Sequence, residues 1–208
     1  DVAIANPSAA LMLAHRGHAP FARPLPVRTI AVIPSLDQMV FAVKSDTGLR
    51  SFEEIAERKV PLRVGLRGDL RHGLNTIMDH ITAAAGFSFD DLKAWGGEPC
   101  RFGPLPWPGG EKFQALARGE INAIFDEASD YWIDAAMDAG MTILPLAEST
   151  VRKLEAMGYR RGIIRKDLFP RLEADVLSID FSGWPIFVRA DLADARVAQL
   201  CEIGRAHV

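Results

Sequence analysis

The chain has 208 residues, 49% hydrophobic and 25% charged, with a formal net charge of −3 and two cysteines. That length buries a substantial core and holds one large α/β domain or two small ones. The composition excludes a basic nucleic-acid surface, no run approaches the ~20 apolar residues of a membrane span, and Cys100 and Cys201 are too few for a disulfide framework and lack metal-ligand spacing.

Residues 1–5 alternate as the end of a strand, and Asn6-Pro7-Ser8 turns into a helix with Ser8 as its cap. Asn6 and Ser8 therefore stand at the carboxyl end of a strand, where open α/β sheets bind ligands, or else both serve the helix start alone. Because the chain opens inside a strand and without Met, it reads as an internal fragment whose upstream part is missing. The helix ends at His15-Arg16-Gly17-His18, whose histidines either hint at a metal or, lacking a third ligand nearby, complement the helix dipole. Residues 27–32 and 39–43 read as strands on either side of Pro34-Ser35-Leu36-Asp37-Gln38, which marks either a passage between lobes or a bulged hairpin. Ser51, with Glu54 three residues on, spells a capping box.

The organising stretch is 61–84. Leu62, Val64 and Leu66 alternate as a half-buried strand, and Leu74, Ile77, Met78 and Ile81 follow at helical spacing, so the period changes from two to 3.6 across the loop 67–73. A helix starting there presents open N–H groups and the positive end of its dipole. Arg67, Arg71 and His72 add positive charge, and Asp69 lies among them, so the loop is a candidate carboxylate or phosphate site. The competing reading is an ordinary strand-to-helix turn with solvated arginines.

Residues 89–92 read as a short turn. The proline- and glycine-rich stretch 93–110 reads as an irregular surface excursion, whose Trp95 and Trp107 either line a cleft or pin the loop to the body. A helix at 111–118, a buried strand at 121–125, a helix at 128–139 and a strand at 141–144 give the order of a parallel sheet with crossovers. Asp126 and Glu127, at the carboxyl end of the first of these strands, act as acid and base, bind a cationic ligand group, or cap the next helix. A helix at 148–157 and strands at 177–181 and 186–189 follow, and Asp180 to Trp184 serves either ligand contact or packing. There is no nucleophile elbow, Walker loop or His-Glu-x-x-His, and Gly65-x-x-Gly68 alone is a weak pattern. The last seven residues, Glu-Ile-Gly-Arg-Ala-His-Val, match the translation of a common sequencing adapter in one reading frame. They are expected to break off the final helix as a non-native tail, His207 included.

In order and spacing these pieces resemble the solute-binding subunits of tripartite ATP-independent periplasmic (TRAP) transporters, specifically the TAXI group, related in fold to type II periplasmic binding proteins. The matching residues are the opening strand through Asn6, Val40-Phe41-Ala42-Val43-Lys44, Gly48-Leu49-Arg50-Ser51-Phe52-Glu53-Glu54-Ile55 and Leu62-Arg63-Val64-Gly65. They continue with Ala84-Ala85-Gly86-Phe87-Ser88-Phe89-Asp90-Asp91-Leu92, Leu116-Ala117-Arg118-Gly119-Glu120-Ile121-Asn122-Ala123-Ile124-Phe125, Trp184-Pro185 and Val188-Arg189-Ala190-Asp191-Leu192. The resemblance implies a two-lobed α/β protein closing on a small ligand, one lobe nearly complete and the other partial. By it, residues 1–43 and 146–201 belong to lobe one, 44–145 to lobe two, and 202–208 to the tail. Two departures stand out: the family's Gly-Ser-Gly-Thr-like loop is replaced by Arg67-Gly68-Asp69-Leu70-Arg71-His72-Gly73, and Asp126-Glu127 stands where many relatives carry apolar or small residues.

The resemblance implies an extracytoplasmic, periplasmic binding protein that presents an anionic or zwitterionic small molecule to membrane permease subunits, without catalysis, cofactor, metal, nucleic acid or membrane insertion of its own. Arg67, Arg71 and the helix amides are expected to hold a carboxylate, with Asp69 and His72 beside them. Asp126 or Glu127 is expected to hold an amine or hydroxyl, with Asn6, Ser8 and Trp184 closing from the other lobe. The alternatives are an enzyme on the same fold using His72 with Asp126 or Glu127, and the effector-sensing domain of a transcription regulator.

Overall fold

Strand β1 (Val2–Ile4) leads into helix α1 (Ser8–Arg16), which Gly17 ends in the left-handed conformation at φ 67°. The computed structural model describes residues 2–103 and 105–205, so Asp1, Pro104 and His207 lie outside the described residues. Strands β2 (Val27–Ile33) and β3 (Val40–Lys44) follow, then helix α2 (Glu54–Arg58), strand β4 (Arg63–Arg67) and helix α3 (Gly73–Ala84). Helix α4 (Phe89–Ala94), strand β5 (Glu98–Phe102), helix α5 (Glu111–Ala117), strand β6 (Ala123–Asp126), helix α6 (Ser129–Asp138) and strand β7 (Met141–Ile143) alternate through the middle of the chain. Helix α7 (Glu148–Met157), strands β8 (Arg161–Ile164), β9 (Val176–Ile179) and β10 (Trp184–Arg189), and helix α8 (Asp194–Arg205) complete it. The fold is mixed α/β.

The chain divides into two compact units, Asp1–Leu36 with Phe181–Val208, and Asp37–Asp180. The first is a three-stranded antiparallel sheet in the order β1-β10-β2, with α1 and α8. The second is built on a five-stranded sheet in the order β5-β4-β6-β3-β7, with the antiparallel pair β8-β9 beside it. β4 is parallel to both β5 and β6, whereas β3 runs antiparallel between β6 and β7. The expected crossovers are therefore present, with one reversed strand set among them. The units meet the sequence at 36/37 and 180/181 rather than 43/44 and 145/146. Backbone bonds explain this: Met39 N–H donates to the Ile179 carbonyl and Leu146 N–H to the Leu177 carbonyl, tying both flanks to β9.

Local chemistry departs from the sequence expectation at several points. Ser8 is the first helical residue rather than the cap, and its hydroxyl donates to the Ser182 carbonyl at 3.3 Å. Ser51 caps nothing: Glu53 is the N-cap of α2, and Glu54 Oε2 accepts from Arg50 N and Arg58. The expected turn at 89–92 is helix α4, started by a complete capping box between Ser88 and Asp91. β5 runs through the supposed excursion, Pro99 included, because it is the edge of its sheet. β4 is not half-buried: Val64, Gly65, Leu66 and Arg67 are all buried, as befits a strand between two parallel neighbours under helices. Helix α8 continues to Arg205 instead of breaking at residue 202. Both cysteines are free.

Phe52 is fully buried in the larger unit, with ring centroids 4.8 Å from Phe41, 5.3 Å from Phe87 and 5.6 Å from Phe125. Truncation there removes a whole ring and leaves a cavity between the sheet and α2. We expect Phe52→Ala to lower the unfolding free energy by about 3–5 kcal/mol, read from denaturant unfolding curves.

Candidate functional site

Arg67 is the last residue of β4 and Asp126 the last of β6. The parallel register that sets Gly65 opposite Ile124, carried two residues on, puts these two opposite each other on one face. Arg67 Nη2 donates to Asp126 Oδ1 at 2.6 Å and to Glu127 Oε1 at 2.9 Å. Lys112, from α5, donates to the other Asp126 oxygen. Its stem passes Gly65 of β4, where a Cβ would stand 3.7 Å from Lys112 Cγ, an ordinary contact, but 2.9 Å from Ile121 Cδ1. Arg67, Lys112, Asp126 and Glu127 are all buried, so two cations and two carboxylates form one closed cluster at the carboxyl ends of parallel strands.

Each titratable member is shifted for a physical reason. Burial pushes the Glu127 carboxyl up to about 7, helped by the charges of Asp37 and Asp126 and opposed by Arg67. Asp37, whose Oδ1 accepts from Gln38 N at 2.8 Å and Ser129 N at 3.1 Å, is also raised by burial, to about 6. Burial lowers Lys112 despite Asp126. Burial also pulls on Arg67, but the hydrogen bond and charge of Asp126, and then those of Glu127, outweigh it, and the net shift is up. Trp132 Nε1 donates to the Glu127 carbonyl at 2.7 Å and so fixes the backbone that carries the carboxyl.

On the open side of the cluster is a cleft of about 640 Å³, lined by Arg67, Gly68, Asp69, His72, Arg101, Phe102, Gly103 and Glu111. Gly68 is needed at its lip, because a Cβ there would stand 2.4 Å from the Phe102 carbonyl oxygen. His72 Nε2 stands 3.9 Å from Glu127 Oε1, and burial and Arg67 together lower its pKa. Arg101 Nη1 donates to the Arg67 carbonyl and to Asn75 Oδ1, both at 2.8 Å. The Arg67 guanidinium has further donors: Nε is buried without a partner, and Nη1 makes no hydrogen bond among the described residues.

The structure thus brings Arg67, His72, Asp126 and Glu127 together. Asp69 lines the cleft, but Arg71 points to solvent, its side chain 94% exposed and its Nε 3.5 Å from Asp69 Oδ1. The helix amides expected to face a ligand are largely occupied. Asp69 accepts from Arg71 N and His72 N, His72 Nδ1 accepts from Leu74 N, and the His72 carbonyl accepts from Asn75 N. Asp126 and Glu127 cap nothing; the N-cap of α6 is Ala128, in the left-handed conformation. Trp95 packs on Phe87 with ring centroids 6.0 Å apart, and neither it nor Trp107 lines the cleft. Asn6, Ser8 and Trp184 belong to the smaller unit. No group of three metal-ligating side chains stands together among the described residues. Sequence reasoning missed Lys112, Arg101 and Asp37. Only Lys112 left a signal: it shares the buried stripe of α5 with Ala115 and Leu116, at spacings of three and four.

No protein-family model and no curated protein matches the chain. Among solved structures it is similar to one described as a periplasmic transporter, at 15% identity and a TM-score of 0.43 over 96% of this chain and 60% of that one. It is also similar to a Bordetella ferric binding protein, at 13% identity and a TM-score of 0.41 over 96% and 63%. A third is the Trichodesmium protein IdiA (FutA) in complex with iron and citrate, at 10% identity and a TM-score of 0.31 over 85% and 50%. The chain spans about three fifths of the length of the first two. With TM-scores below 0.5, the functional reading is left to the cleft itself.

Between pH 4.5, where an unperturbed glutamate titrates, and about 7, the folded chain holds a proton on Glu127 that the unfolded chain has released. Stability from this group is therefore full at low pH and lost as pH rises through 7. From pH 6 to pH 8 the loss is on the order of 1 kcal/mol. Unfolding curves across that range should show Glu127→Gln falling less steeply than the native chain by about this amount.

Proposed function

We propose that the chain is the larger part of an extracytoplasmic solute-binding protein with a type II periplasmic binding fold, of the TAXI kind. In this reading its cleft captures a small anionic or zwitterionic molecule, an organic acid or an amino-acid-like compound, for membrane permease subunits. The observation that carries this reading is the Arg67 guanidinium: nine-tenths buried at the wall of a cleft, with two of its three nitrogens uncommitted. A cation held in low dielectric by its neighbours, with donors to spare, favours a carboxylate over water. Arg101 adds positive charge to the lining, and Asp69 and Glu111 supply acceptors for an amine or hydroxyl on the same ligand.

Against acid–base chemistry stands the tautomer of His72. Its Nδ1 accepts the Leu74 N–H, so the neutral ring carries its proton on Nε2 and offers Glu127 and the cleft no lone pair. Protonating Nδ1 instead would undo the cap of α3.

Calorimetric titration with small dicarboxylates and α-amino acids tests the proposal. We expect at least one to bind, and Arg67→Lys and Arg101→Gln each to weaken it by roughly 10- to 100-fold, the worth of a charge-assisted hydrogen bond. Unchanged affinity in both variants, or no binding by any compound, sinks it.

A further inference from the structure

We propose that anion capture in this cleft is coupled to proton uptake: when an anion settles on Arg67, the Glu127 carboxylate takes a proton from solvent. This rests on the reading of the cleft as an anion site, and adds to it a pH-dependent regulation.

The geometry singles out Glu127. From β4, Arg67 Nη2 reaches it at 2.9 Å but reaches Asp126 more closely, at 2.6 Å. Asp126 also holds Lys112 of α5 and accepts the Glu127 N–H at 2.9 Å. Glu127 therefore shares its hydrogen-bonded cation, Arg67, with a carboxylate that also binds Lys112, whose charge acts on both carboxylates. His72, at the start of α3, faces it at 3.9 Å through Nε2. Asp37, ahead of β3, faces it with a further negative charge, and Asp130 of α6 in turn faces Asp37. Around Glu127 stand three carboxylates, its own and Asp126 buried and Asp37 half-buried, against two buried cations and a half-buried histidine whose protonated form is disfavoured.

A ligand carboxylate placed against Arg67 adds one more negative charge to that set. It competes for the guanidinium with the least supported carboxylate, whose backbone the Trp132 bond holds in place and whose side chain is buried. Protonation is the remaining relief. One proton leaves solvent, the carboxylate becomes a neutral carboxyl that can donate as well as accept, and the proton offsets one of the negative charges the anion brings. The upward shift of Glu127, to about 7, places the transition where small changes of pH matter. Affinity should accordingly rise as pH falls and drop up to tenfold per unit above neutrality.

The test uses the full chain with succinate and inorganic sulfate as probes. Calorimetry in buffers of different ionisation enthalpy at pH 6, 7 and 8 reads protons taken up per anion bound. Carbon NMR of the glutamate carboxyls reads the Glu127 midpoint with and without the probe, assigned by its absence in Glu127→Gln. We expect uptake approaching one proton at pH 8, a midpoint moved upward by the bound anion, and an affinity in Glu127→Gln that is independent of pH between 7 and 8, where Asp37 and His72 no longer titrate. Binding without proton uptake, or with an unmoved Glu127 midpoint, overturns the coupling and leaves the solute-binding reading standing. No binding of either probe, alongside no binding in the dicarboxylate and amino-acid titration, overturns both. The native-chain measurements decide the matter even if the variant folds poorly.

Discussion

The larger unit depends on one buried ion pair between neighbouring parallel strands. Arg67 and Asp126 end β4 and β6 side by side, and neither has water to fall back on. Removing one partner of such a pair costs about 3–5 kcal/mol, because the survivor is left charged in a medium that does not solvate it. Lys112 enters for the same reason: it brings a second cation to a carboxylate that Arg67 divides its attention between. Gly65 of β4 lies against this lysine stem and closer still against Ile121, where a Cβ would stand 2.9 Å from Ile121 Cδ1. The cluster therefore fixes the ends of two strands, the position of α5 and the wall of the cleft at once.

Much of the scaffold was legible in the sequence. The change of period between Leu66 and Leu74, the glycine stops at Gly17, Gly119, Gly140 and Gly158, and the buried run before Asp126 are local signals, and each element they announce is present. Local signals fail where tertiary position decides. Ser51 and Glu54 have the spacing of a capping box, yet Glu54 turns to Arg50 and Arg58. Ser88 and Asp91, passed over as a turn, form the complete box. The reversed direction of β3 between β6 and β7 is likewise a long-range choice that periodicity along the chain does not encode.

The site was legible in part. The loop after β4 and the acidic pair after β6 stand at the carboxyl ends of strands, and strand order brings them to one place. Their pairing with each other was not foreseen, because it needs the register between β4 and β6. The same register turns Arg67 inward while Arg71, four residues on in the loop, stays in solvent. Nor was it foreseen that the loop would satisfy its own amides through Asp69 and His72. Their occupation leaves the cleft walled by side-chain donors rather than open backbone amides, and a guanidinium is more exacting about angle than a helix terminus.

Pro99 lies on the outermost strand, β5, opposite Val64. Glu98 N–H points inward, to the Leu62 carbonyl, so by alternation the imide nitrogen of Pro99 points outward. No ladder bond is lost by it, yet the rim lacks a donor just where a strand from another molecule would seek one. A residue that looks like a breaker in the sequence thus opposes growth of the sheet by edge-to-edge addition at this rim.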